Sequence, residues 1–217
     1  MSEKNTMNNN NNNTKINYQL KTDEILKELD SLPQKKRLLL HACCAPCSSY
    51  VLEYLTEHFD ITVFFSNSNI TDEVEYQKRL HEIYRLLSLM PGGESVSVIE
   101  DEYTPLEYLG IVKGYEKEKE GAKRCEKCFV MRVNKTAQKA RELNFDYFAT
   151  TLTVSPHKNS QLINKIGFDA ERLIDKAALY LPSDFKKREG YKRSIELSRI
   201  YGLYRQDFCG CEFSRNF

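Results

Sequence analysis

Lys36 to Phe65 reads KRLLLHACCAPCSSYVLEYLTEHFDITVFF. A basic pair leads into Leu38-Leu39-Leu40-His41-Ala42, a short apolar run of the kind that forms a buried parallel strand. Cys43, Cys44 and Cys47 follow at once. Leu52, Leu55 and Phe59 then repeat at helical spacing, and Ile61 to Phe65, rich in β-branched and aromatic residues, reads as a second strand. Strand, helix, strand implies a parallel pair, because parallel strands need a crossover connection.

The same alternation continues downstream. Asp72 and Glu73 suit the first turn of a helix with Tyr76, Leu80, Ile83 and Leu87 on one face, which Pro91-Gly92-Gly93 breaks before a third strand from Ser95 to Ile99. Thr104-Pro105-Leu106-Glu107 is a capping box with proline at the first helical position, and Lys113 to Glu120 reads as a solvated turn or helix. Val130, Val133, Ala137 and Ala140 mark the buried stripe of another helix, with Arg132, Lys135 and Lys139 on a more exposed face. Phe145 to Val154 reads as a fourth strand, and Ser155-Pro156 as the start of a helix that Gly167 ends. Two more helices are expected near Ala170 to Leu179 and Tyr191 to Leu203. The pattern predicts an α/β fold: a Rossmann-like parallel sheet with helices on both faces and a helical C-terminal part. Ligands of such sheets collect outside the carboxyl ends of the strands, where the first cysteines stand. Neither a Walker-type lysine motif nor a glycine fingerprint is present, so ATP or NAD binding has no support.

Residues 1–15 include an unbroken asparagine run from Asn8 to Asn13 and nothing that buries apolar surface, so this stretch is expected to be disordered. Residues 16–217 are expected to form one α/β domain with a helical extension at its C-terminal end. No segment approaches the ~18 consecutive apolar residues that cross a bilayer, and no secretory signal opens the chain, so a cytoplasmic protein without membrane contact is expected.

In that compartment thiols stay reduced, which undercuts a disulfide reading of the seven cysteines. They fall in three compact groups: Cys43, Cys44 and Cys47; Cys125 and Cys128 in KRCEKCF; Cys209 and Cys211 in DFCGCEF. Seven cannot pair fully, and such spacing suits thiolates converging on metal. Four complete a cubane iron-sulfur cluster, and the remaining three suit a second metal with one position open. A structural zinc site is the rival, since Cys-x-x-Cys does not by itself distinguish zinc from iron. Cys125 and Cys128 can serve one centre from the opening turn of a helix, whose positive end favours thiolate. Cys43 and Cys44 would point apart in extended backbone, so a tight turn must follow the strand.

HACCAPCSS, GAKRCEKCFVMR, ATTLTVSPHKN and YRQDFCGCEFS, in this order over most of Lys36 to Ser214, resemble the QueH-type epoxyqueuosine reductases. The resemblance implies reductive removal of the epoxide oxygen of epoxyqueuosine at the wobble position of transfer RNA, giving queuosine. It also implies an adenine-nucleotide α-hydrolase-like fold, with a [4Fe-4S] cluster on Cys43, Cys44, Cys125 and Cys128. Cys47, Cys209 and Cys211 would hold a second metal, iron, and act in catalysis. The partners implied are a tRNA carrying epoxyqueuosine in its anticodon and an electron donor whose identity stays open.

Asn67 and Asn69 after strand two, Ser155 and His157 after strand four, and Arg132 are candidate substrate-binding residues; Ser155 also reads as a helix cap and His157 as a proton donor. Lys113 to Arg141 carries ten Lys or Arg against four Glu, and Phe185 to Arg205 seven against two, while the whole chain is only +1, so positive charge gathers near the later cysteines and suits phosphates. Two other readings differ in class. A cluster-dependent tRNA sulfurtransferase would need a Ser-Gly-Gly pyrophosphate loop, which is absent, and a zinc-stabilised RNA-binding module would need no iron.

Overall fold

A computed structural model describes residues 15–174 and 178–215. In chain order the elements are α1 (Tyr18–Leu29), β1 (Lys36–His41), α2 (Ala45–Leu55), β2 (Phe59–Phe65), α3 (Glu73–Leu89), β3 (Ser97–Glu100), α4 (Pro105–Ile111), α5 (Lys123–Glu142), β4 (Tyr147–Thr150), α6 (Ser160–Leu173), β5 (Leu179–Tyr180) and α7 (Gly190–Ile200). The expected disorder of residues 1–15 falls almost wholly outside the described residues.

The strands form one sheet in the order β3-β2-β1-β4-β5, and every pairing is parallel. The chain builds outward from β1 to β3 on one side, then returns past β1 to lay down β4 and β5 on the other. Strand order therefore reverses between β1 and β4, which opens a crevice at their carboxyl ends.

Alternation along β1 sorts the core. Leu38 and Leu40 pack with Leu26, Leu52, Val63 and Ile83 on the face covered by α1, α2 and α3, while Leu39 packs with Phe129, Val133, Phe148 and Ile163 under α5 and α6. All three leucines are fully buried, each contributing about 1.5–3 kcal/mol. Helix starts follow local chemistry: the Asp72 carboxylate accepts from the N–H groups of Val74 and Glu75 to open α3, and Pro46 sits in the first turn of α2.

Several boundaries differ from the sequence reading, each for a local reason. Helix α1, to which the reading assigned no element, is capped by Asn17 and packs Leu26 and Leu29 into the core. Phe59 belongs to β2 rather than to the preceding helix, pairing with Lys36 in register. The fourth strand stops at Thr150, whose hydroxyl accepts from Leu152 N–H and turns residues 151–154 into a 3-10 helix. The next helix starts at Ser160 under an Asn159 cap, not at Ser155-Pro156. Around 170–179, α6 ends at Leu173 and Leu179–Tyr180 forms a short fifth strand.

Gly167 does not end a helix either; it lies inside α6 beneath the Tyr180 ring. A Cβ there would stand 2.2–2.4 Å from that ring. Gly167→Ala is therefore expected to cost about 1–3 kcal/mol despite alanine's better helix propensity, read as a lowered urea midpoint with unchanged slope.

Candidate metal centre

The chain bends at Cys43 directly after β1, and Cys44, extended at φ −174°, precedes the first turn of α2. This is the tight turn the adjacent cysteines require. It brings the sulfurs of Cys43 and Cys44 to 3.8 Å, and those of Cys43, Cys44 and Cys47 all lie within 4.8 Å of one another. Across the crevice, Cys43 N–H donates to Thr151 Oγ1 at 3.2 Å, and the Thr151 hydroxyl donates to Cys43 Sγ at 3.4 Å. The first cysteine group is thus pinned at the point where strand order reverses.

Cys125 and Cys128 open α5 on one face. Gly121 N–H donates to Cys125 Sγ at 3.2 Å. Cys209 and Cys211 flank Gly210, whose φ of +127° gives the loop a bend that disfavours any residue with a Cβ. Arg79 fastens this loop: its Nη1 donates to Cys209 O at 3.0 Å and its Nη2 to Phe208 O at 3.3 Å, while its Nε meets Glu75 at 2.6 Å. Cys128 and Cys211 share a small apolar cluster with Tyr108, Val112 and Met131.

The three segments converge. Cys125, Cys128, Cys209 and Cys211 line one pocket with Asn69, and Cys209 also borders a cleft of about 300 Å³ that Cys43 and Cys47 line. All seven cysteines are free. Hydrogen bonds from Cys44 and Cys47 hold the Cys43 thiol well below the usual thiol range, with Lys158 and Arg132 acting in the same sense against burial. Cys44 is pushed up to about 11, first by its bond with Cys43. At the start of α5, expected to favour thiolate, burial acts in the opposite sense: it raises Cys125 despite the Gly121 bond and pushes Cys128 up to about 12.

Positive charge answers these sulfurs. Arg132, expected on an exposed face, is only 2% exposed, and Val130, expected in the buried stripe, is 37% exposed. The helix is rotated so that Arg132 falls one turn after Cys128, on the thiol side. Its guanidinium donates to Asn67 Oδ1 and to His41 Nε2, the latter at 3.2 Å. His41 Nε2 meets both Arg132 Nε and Ser66 O at 3.2 Å, and Nδ1 meets Thr150 Oγ1 at 2.8 Å. Burial, then Arg132, lowers His41 to about 3, so this imidazole is neutral. The half-buried Lys158 is charged: burial opposes its ammonium, but Cys209, Cys43 and Cys47 outweigh that and raise its pKa.

These features fit an iron-sulfur group. The donor set is all thiol, the facing charges are cationic, and Asn69 Oδ1, buried beside four cysteines, has no hydrogen-bond partner among the described residues.

The comparisons with known proteins agree with this geometry. The family model described as epoxyqueuosine reductase QueH matches residues 38–216. The chain belongs to the QueH family. It is 48% identical over 204 residues to epoxyqueuosine reductase QueH of Streptococcus pyogenes serotype M1, spanning 93% of this chain and 79% of that protein. It is 36% identical over 185 residues to the Thermotoga maritima protein of the same name, spanning 82% and 89%. Among solved structures it resembles the U34-tRNA thiolase NcsA from Methanococcus maripaludis with its [4Fe-4S] cluster, at a TM-score of 0.51 and 14% identity over 90% of this chain and 67% of that one. That likeness bears on the fold, a Rossmann-like sheet, alone.

Within this chain the five other candidate residues separate. Arg132, Ser155 and His157 line the cleft, and Asn69 and His157 line the cysteine pocket. Asn67 borders neither. Its amide is spent on Ala42 O at 2.8 Å and on Arg132, so it holds that arginine instead of facing the cleft. The basic C-terminal stretch is less free than its composition suggests, since Lys186, Arg188, Lys192 and Arg193 pair with Asp184, Asp23, Glu189 and Glu53. Sequence reasoning missed Arg79 and Lys158. Arg79 carries a signal after the fact: it stands between Tyr76, Leu80 and Ile83 on the apolar stripe of α3, where a charge needs a buried partner.

Proposed function

We propose that this chain is a cytoplasmic epoxyqueuosine reductase, removing the epoxide oxygen of epoxyqueuosine in the tRNA anticodon with two electrons and two protons to give queuosine and water. The observation that carries the reading is the meeting of three remote cysteine segments at the β1–β4 crevice, beside a cleft open to a nucleobase. Among the described residues no helix is long and apolar enough to cross a membrane.

By the family resemblance Cys43, Cys44, Cys125 and Cys128 would hold a [4Fe-4S] cluster and Cys47, Cys209 and Cys211 a second metal, iron, whereas the geometry groups Cys47 with Cys43 and Cys44, and Cys209 and Cys211 with Cys125 and Cys128. When bound, such groups supply one-electron transfer and Lewis acidity toward an oxygen. The rest of the work falls to the chain itself. Tyr191 and Phe208 line the cleft; the guanidinium groups of Arg79 and Arg215 lie over the Phe208 ring, and the Tyr191 ring suits stacking on an unpaired base. Ser155 and His157 supply polar groups on the same wall. Arg132 balances the thiolates and keeps the floor charged, while Arg79 fixes the loop that carries Cys209.

The test is anaerobic reconstitution with iron and sulfide, then incubation with a low-potential reductant and epoxyqueuosine-containing tRNA, with nucleosides read by mass spectrometry. Queuosine is expected from the iron-loaded protein, with about four irons and matching sulfide per chain in the cluster, and none from apo or zinc-loaded protein. A chain that binds zinc alone and leaves epoxyqueuosine intact would instead be an RNA-binding module.

A further inference from the structure

Epoxide removal leaves an oxygen that must gain two protons, and the cleft contains a cation that no other role employs. Lys158 lines both the cysteine pocket and the cleft, a place it shares with Glu120, His157 and Cys209. Among the described residues its ammonium has no carboxylate within ion-pair distance and no hydrogen-bond acceptor, whereas Lys135, Lys186 and Lys192 all have both. It shares the cleft wall with Cys43, Cys47 and Cys209, from two of the three cysteine segments, and with the cation Arg132. The backbone beneath it is held from both sides. Lys158 N–H donates to Ser155 O at 3.2 Å, Lys186 Nζ lies 3.5 Å from Lys158 O, and the neighbouring Asn159 caps α6. His157, the imidazole suggested by sequence as the proton donor, borders the same two cavities but is exposed, while Lys158 is half-buried.

We propose that Lys158 is a catalytic residue of the reductase: its ammonium hydrogen-bonds the epoxide oxygen and delivers one of the two protons that oxygen requires. This rests on the reductase reading. In the overall step both C–O bonds of the epoxide break and a carbon–carbon π bond forms in their place. A low-potential one-electron donor, dithionite in the assay, supplies the two electrons in turn. The oxygen leaves as water, its second proton coming from solvent in the cleft, and solvent reprotonates the lysine. An ammonium on a flexible stem can follow an oxygen as it departs, which a hydrogen bond from a fixed backbone donor cannot.

The experiment uses the full reconstituted chain and epoxyqueuosine-containing tRNA under single turnover, with iron, sulfide and tRNA affinity measured on each variant. Lys158→Ala is expected to slow conversion at least about a hundredfold with metal content and tRNA affinity preserved, and ethylammonium added to that variant to restore much of the rate by occupying the vacated space. Lys158→Met, which fills that space without a proton, is expected to be equally slow and not rescued. An alanine variant within about threefold of the natural rate overturns the proposal. So does a lost rate that follows lost iron in both variants, or one that appears only as weakened tRNA binding. A natural chain that makes no queuosine overturns the reductase reading itself and this inference with it.

Discussion

Exchanging Cys209 for serine is expected to cut queuosine formation by more than about a hundredfold, beyond the usual cost of losing a group that merely orients a metal ligand. Cys209 is the one cysteine that borders both the thiol-lined pocket and the open cleft, so it stands where inorganic chemistry and substrate meet. Its main chain is anchored by Arg79 and shaped by Gly210, neither of which depends on its sulfur. The substitution therefore leaves Cys43, Cys44, Cys125 and Cys128 in place, and most of the visible absorption of the cluster is expected to survive. The opposite pattern is expected for Cys125→Ser: absorption and activity fall together. A Cys209→Ser protein that loses its visible spectrum while Cys125→Ser keeps it would reverse the division of the seven ligands.

Arg132→Met carries the second large effect. The guanidinium is buried against Cys128, Cys43 and Cys209 and also ties Asn67 and His41 together. Methionine fills much of the volume but removes the cation facing the thiols and leaves Asn67 and His41 without their partner. Removing one member of such a buried set costs roughly 3–5 kcal/mol. In a protein of this length that corresponds to a melting temperature lowered by roughly 10 °C, measured on anaerobic iron-loaded protein. Concentrated anionic charge is harder to reduce, so the cluster's reduction potential is expected to fall as well. Arg132→Lys should recover part of the potential but less of the stability, because a single ammonium cannot reach His41 and Asn67 in the fork geometry. Unchanged potential in the methionine variant would remove Arg132 from the electrostatics of the site.

The sheet was legible because β1 and β2 announce themselves by continuous apolar runs, and the cysteine motifs because they are short and contiguous. What was hidden depended on rotation and on distance. A stripe of Val130, Val133, Ala137 and Ala140 is a sound helical pattern, yet the helix turned to bury Phe129 and Arg132, since thiols at 125 and 128 favour a cation one turn later. Leu179–Tyr180 is too short to show a period and becomes a strand only because Tyr147 and Phe148 offer it an edge. Lys158 carries no local signature of its role, and Arg79 only its place on the apolar stripe of α3. Their meaning arises from sulfurs more than fifty and one hundred residues away in the chain, brought near by the reversal of strand order.

Because every strand runs the same way, all seven sulfurs end up on a single rim, and no stray cysteine lies elsewhere. Alkylation chemistry on this protein is therefore free of bystanders. Cys44, Cys128 and Cys211 are buried in their own right, so ligation is read as the thiols shielded from a maleimide in the loaded protein beyond those shielded in the apo protein, and the difference in mass shift tallies how fully the inorganic parts have been installed.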